Sequence, residues 1–172
     1  MNEYKIIELL FYVLPAVVTG AIAYYFFSLH TKNEEGRRRY LLHRETEKTA
    51  LPLRLQAYER MALFLERINP SKLLLRVAPE SADKNQYEGL LIASIESEFD
   101  HNLAQQIYIT DECWNVIKTS KNATIQLIRK AGMNAENANK LREEVLNELM
   151  EKQAPSYTAL GYIKKEIREL IG

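Results

Sequence analysis

Two kinds of apolar pattern divide the chain. From Leu9 to Leu29 the residues LLFYVLPAVVTGAIAYYFFSL carry no charge. Beyond them, apolar residues return at every third or fourth position, in segments separated by proline, glycine and polar turns. The first pattern predicts a helix apolar on all sides. At about 1.5 Å per residue it reaches roughly 30 Å, the thickness of a bilayer's hydrocarbon core. The second predicts amphipathic helices with one buried face.

The clearest amphipathic stretch is LPLRLQAYERMALFLERINP, residues 51–70. Leu55, Tyr58, Ala62, Leu65 and Ile68 form its stripe, and Met61 and Phe64 widen it. Pro52 suits a first helical turn, and Asn69-Pro70 reads as a stop. The width of the stripe makes Tyr58, Met61, Phe64 and Leu65 an expected helix or partner interface. Ser71–Val77 fits either a helical turn or an extended piece, and Pro79–Asn85 has loop composition. A helix is expected from Gln86 to Ile107 through Leu91, Ile95, Phe99 and Leu103. Thr110 is placed as an N-cap, with Asp111 and Glu112 complementing the helix dipole. The face Cys113, Val116, Ile117, Ser120, Thr124, Leu127 and Ile128 then runs to Gly132, read as a C-terminal stop. Ala138, Leu141, Val145 and Leu149 mark a further helix. Tyr157, Leu160, Ile163, Ile167 and Leu170 mark the last, after Pro155. The expected fold is all-α: a single N-terminal transmembrane helix followed by a helical bundle or irregular helical array. Its expected organisation is 1–30 for the N-terminus and span, 31–50 for a charged juxtamembrane segment, and 51–172 for the helical domain.

A cleavable signal peptide is the rival reading of the N-terminus. The mixed charge at Glu3, Lys5 and Glu8, the length of the run and its ending in Tyr24-Tyr25-Phe26-Phe27 favour a retained span. Within it Pro15 is expected to bend the helix, and Ala16-x-x-x-Gly20 to seat a partner helix closely. Lys5 stands alone before the run, whereas Lys32, Arg37, Arg38, Arg39 and Arg44 follow it. The positive-inside rule then leaves the N-terminus outside and the rest in the cytoplasm of a bacterial inner membrane, with Arg37, Arg38 and Arg39 against anionic headgroups. A lone cysteine, Cys113, agrees with a reduced compartment.

Charge and motifs remove several function classes. Lys plus Arg and Asp plus Glu balance at 23 each, so nucleic acid is not an expected partner. No glycine-rich phosphate loop occurs. Cys113, beside Trp114 on an apolar face, reads as an inert core thiol. The one motif of metal type is Glu98-Phe99-Asp100-His101. Carboxylate-bridged metal pairs need a second such motif and two further glutamates. Neither His30 nor His43, with Glu47 one turn on, supplies a copy. On a wheel of about 100° per residue, Glu98 falls at the edge of the apolar face and His101 well outside it. Asn102 and Gln106 project among Ile95 and Phe99 instead, and are expected to hydrogen-bond across a helix interface. No cofactor, small-molecule substrate or catalytic residue is expected.

The stretches LPLRLQAYERMALFLERI (51–68) and ESEFDHNLAQQIYI (96–109), with the N-terminal span, resemble an uncharacterised family of single-span membrane proteins from Bacteroidota. The resemblance implies an inner-membrane location and a helical cytosolic part, and it carries no activity or site residue. The expected function is that of a membrane-anchored interaction or scaffold protein: a non-catalytic accessory subunit of a larger assembly. Its expected partners are the lipid bilayer and a protein or second copy, held through the transmembrane and 51–68 helices. The alternative is a metal-dependent enzyme or sensor using Glu98 and His101.

Overall fold

A computed structural model describes residues 3–172 and contains helices and turns, with no strand among the described residues. The side chains of Glu3, Lys5, Lys32, Glu35, His43 and Glu47, which enter the charge-bias and metal readings, lie outside the described residues. The chain forms two compact units, Met1–Ala50 and Leu51–Gly172. The first helix, α1, runs Glu3–Arg67 and contributes to both. It continues through Pro52, where the sequence pattern suggests a helix start. Proline in a helix interior forfeits one backbone hydrogen bond and crowds the preceding turn. Around it Ala50, Pro52 and Leu53 are exposed.

In the Leu51–Gly172 unit, α2 (Pro70–Arg76), α3 (Lys84–Asp100), α4 (Asp111–Asn134), α5 (Ala138–Glu151) and α6 (Pro155–Ile171) follow in order. Asn69-Pro70 is a start as well as a stop. Asn69 Oδ1 accepts from Ser71 N at 3.1 Å, and Pro70, which has no N–H to orphan, opens α2. Thr110 caps α4 as its sequence implies, its Oγ1 accepting from Cys113 N at 3.2 Å. Asn137 does the same for α5 at Lys140 N.

Two boundaries differ from the periodicity. α4 passes Gly132 and ends at Asn134, because Gly132 adopts no positive φ and Lys84 serves as the cap. The ammonium of Lys84 donates to Gly132 O at 3.0 Å and Ala135 O at 2.7 Å, satisfying carbonyls of the last turn. The helix expected through Ile107 stops at Asp100, and Leu103–Ile107 forms a 3-10 turn that buries no residue.

Helix α4 is the hub of the unit and packs against α3, α5 and α6. Its buried face of Cys113, Ile117, Thr124, Ile125 and Ile128 meets Leu91 and Ile95 of α3, Leu141 and Val145 of α5, and Ala159, Leu160 and Ile163 of α6 in one core. The Leu51–Arg67 part of α1 adds Ala57, Tyr58, Met61, Phe64 and Leu65. An aromatic series joins three helices. Phe64 lies 5.6 Å from Phe99, and Phe99 stacks on Trp114 at 5.1 Å. Lys121 Nζ sits 4.6 Å from the Phe99 centroid while paired to Glu96 at 2.7 Å. A partly desolvated ammonium over a ring adds about 0.5–2 kcal/mol.

Candidate functional site

The apolar stretch of α1 comes first. Tyr12–Leu42 is long and apolar enough to cross a membrane, and none of its most apolar window is buried within the molecule. Ala16 and Gly20 are both exposed, and nothing lies within 4 Å of the space a Gly20 side chain would occupy. Thr19 Oγ1 donates to Pro15 O at 2.8 Å, so the hydroxyl is satisfied within its own helix. Tyr24, Tyr25, Phe26 and Phe27 are exposed, as are Arg37, Arg38 and Arg39.

The 51–68 stripe is placed differently from a free surface. Tyr58, Met61 and Leu65 are 0 % exposed and Phe64 is 1 %, all inside the unit's own core. They form a helix interface within the chain. The α1 side chains left for a partner in this region are Leu53 and Leu63.

The pair Asn102 and Gln106 corrects the sequence reading more sharply. The wheel that places them beside Phe99 assumes a helix that has already ended. Asn102 turns its amide back, Nδ2 donating to Glu98 O at 2.8 Å, and Gln106 is exposed on the 3-10 turn. The buried amide of this unit is Asn69. It is 2 % exposed, caps α2, and donates through Nδ2 to the fully buried Ser156 Oγ at 3.3 Å, tying the α1–α2 corner to the start of α6. Its signal in the sequence is Asn directly before Pro, an N-cap pattern that serves equally as a helix stop.

Glu98 and His101 do not converge on a common point. Glu98 Oε1 is held by Arg67 Nη2 at 2.6 Å and Arg76 Nη1 at 2.9 Å, and Arg76 also donates to Arg67 O at 3.3 Å. One carboxylate thus latches the ends of α1 and α2 onto α3. His101 is exposed, with Nδ1 at 2.5 Å from Ser97 O, where it acts as donor to its own helix. Among the described residues no group of three or more metal-ligating side chains comes together.

A second polar group lies inside the unit, where α1, α4 and α6 meet. Tyr58 Oη and both carboxylate oxygens of Glu166 are cut off from solvent, and Glu166 faces the Tyr58 phenol and the Cys113 thiol. Burial pushes the Tyr58 phenol up to about 12; the Glu166 carboxylate adds to the rise and Arg54 opposes it. Burial, reinforced by Glu166, also pushes the Cys113 thiol up. A thiol held neutral in this way is neither a nucleophile nor a metal ligand at physiological pH.

These features define an all-helical protein with one apolar N-terminal helix and a packed unit whose titratable core groups are sealed. The chain matches DUF7935, a family of unknown function, over residues 4–170, and belongs to it. No curated protein and no solved structure matches the chain.

Proposed function

We propose that the protein is a single-span, membrane-anchored interaction subunit: a non-catalytic scaffold or accessory component of a larger assembly in a bacterial inner membrane. The observation that carries this reading is the stretch Tyr12–Leu42, none of whose most apolar window is buried, on the same chain as a unit with its own core. An apolar helical window left unburied has lipid or another helix as its natural cover. Exposed Ala16 and Gly20 suit close helix approach. The basic flank of Arg37, Arg38 and Arg39 supports an outside N-terminus, and each arginine adds about 1 kcal/mol near anionic headgroups.

The partner is a protein or a second copy, engaged through the Ala16/Gly20 face and the exposed Leu53 and Leu63 side of α1. In-cell crosslinking followed by mild-detergent purification should yield a stoichiometric complex or homo-oligomer that Gly20→Leu weakens. A chain recovered from the soluble fraction, or a monomer unchanged by crosslinking and by Gly20→Leu, would overturn the reading. Reporter fusions at each end test orientation, with the C-terminal fusion expected on the cytoplasmic side.

A further inference from the structure

A groove runs along the exposed side of α3. Its wall is the loop that leaves α2 and turns back beside the helix. Arg76 anchors that loop to Glu98 at one end, and further along Tyr87 Oη donates to Val77 O at 2.8 Å and Ser81 Oγ donates to Gln86 Oε1. Two cavities of about 370 and 240 Å³ lie between loop and helix, and Ala93 lines both. The floor is α3 itself, where Gly89, Ala93 and Ser97 stand exposed at four-residue spacing and so on one line. Nothing lies within 4 Å of the space a Gly89 side chain would fill.

The two ends of the groove differ in charge. At one, Arg67 and Arg76 share the single carboxylate of Glu98, which leaves positive charge in excess. At the other, Glu80 and Asp83 are exposed, and Glu80 has no ion-pair partner among the described residues. Lys84, next in sequence, turns its ammonium away to Gly132 O and Ala135 O. An antiparallel copy of the same groove reverses these ends. With a two-fold axis at Ala93, Gly89 of each copy lies opposite Ser97 of the other, and the basic end of each meets the acidic end of its mate. One contact satisfies the complementarity twice, as an isologous interface requires.

We infer that this face of α3 pairs with the same face of a second copy, antiparallel and two-fold at Ala93, with Arg76 of each copy facing Glu80 of the other. The bare Gly89-Ala93-Ser97 line lets the two helices approach closely. A contact limited to one helix and one loop belongs to the small, transient class of interfaces, so covalent trapping is the means to see it. The inference does not rest on the membrane reading, since every residue in it belongs to the Leu51–Gly172 unit.

The test places cysteines in the full chain and treats intact cells with a membrane-permeable oxidant. Cys113, the sole native cysteine, is buried and gives little background. Ala93→Cys should form a disulfide dimer by itself. Gly89→Cys should crosslink to co-expressed Ser97→Cys well ahead of either with itself. Arg76→Glu and Glu80→Arg should each lower the Ala93→Cys dimer yield about five- to tenfold, because symmetry makes two like-charge pairs from one change. The two together should restore it, whereas damage done only by breaking the Glu98 latch would not be repaired by Glu80→Arg. Gly89→Leu should abolish the dimer without lowering the urea midpoint of Trp114 emission, since its side chain enters open space. Absence of the Ala93→Cys dimer, Gly89→Cys pairing with itself as readily as with Ser97→Cys, or a charge exchange that restores nothing would overturn the inference. So would a different protein captured at Ala93→Cys in place of the second copy.

Discussion

Asn69→Ala removes two interactions at one point. The side chain caps α2, and losing such a cap costs about 1 kcal/mol, within a range of roughly 0.5–2. It also donates to Ser156 Oγ at 3.3 Å, in a place where neither group reaches solvent. Truncation strands the Ser156 hydroxyl, which adds about 1–3 kcal/mol. The expected total is about 2–4 kcal/mol. Ser156→Ala alone strands the Asn69 amide instead. The double variant strands neither, so its cost should fall short of the sum of the singles by about 1–2 kcal/mol.

Urea titration of the full chain in mild non-ionic detergent measures this, with Trp114 as probe. It is the sole tryptophan and is stacked in the core, so its emission follows the Leu51–Gly172 unit alone. At a slope of about 1–3 kcal/mol per molar urea, Asn69→Ala should lower the midpoint by about 1–2 M. Additive single and double variants would show that Asn69 and Ser156 do not share a bond. A shift for Asn69→Ala below about 0.5 kcal/mol, the level of an ordinary surface change, would refute the cap and the bond together.

Glu98→Gln should cost only about 1 kcal/mol, since Arg67 and Arg76 are partly exposed, and the cost should shrink in high salt; a salt-independent loss would point to packing rather than charge. The Tyr58 phenol has its folded value raised from 10.0 to about 12, so between these values the unfolded chain releases a proton that the folded chain keeps. Stability should therefore fall as pH rises above about 10, and Tyr58→Phe should flatten that fall; an unchanged profile in the variant would remove Tyr58 as its source. Native Cys113 should resist alkylation at mildly alkaline pH and react fully in urea, whereas rapid stoichiometric reaction of the folded protein would contradict its burial.

What the sequence makes legible is local. Helical faces repeat within a few residues, so the stripes ending at Ile68, Ile128 and Leu149 can be read from residue spacing alone. The cap at Thr110 is equally local. The failures share one cause, which is dependence on residues distant in sequence. Nothing in Asp100-His101-Asn102 announces a helix end, since neither glycine nor proline stands there, and a wheel carried past it turns Asn102 and Gln106 inward. Gly132 resembles a stop, yet α4 is terminated by an ammonium from Lys84 on another helix. Glu98 finds its partners on α1 and α2, and no spacing rule connects residue 98 with residues 67 and 76.

The same distinction bears on function. Glu98 and Cys113 are the residue types that suggest chemistry in a bare sequence, and each is held by long-range packing in a form that opposes it. One is latched between two arginines, and the other is kept as a neutral thiol.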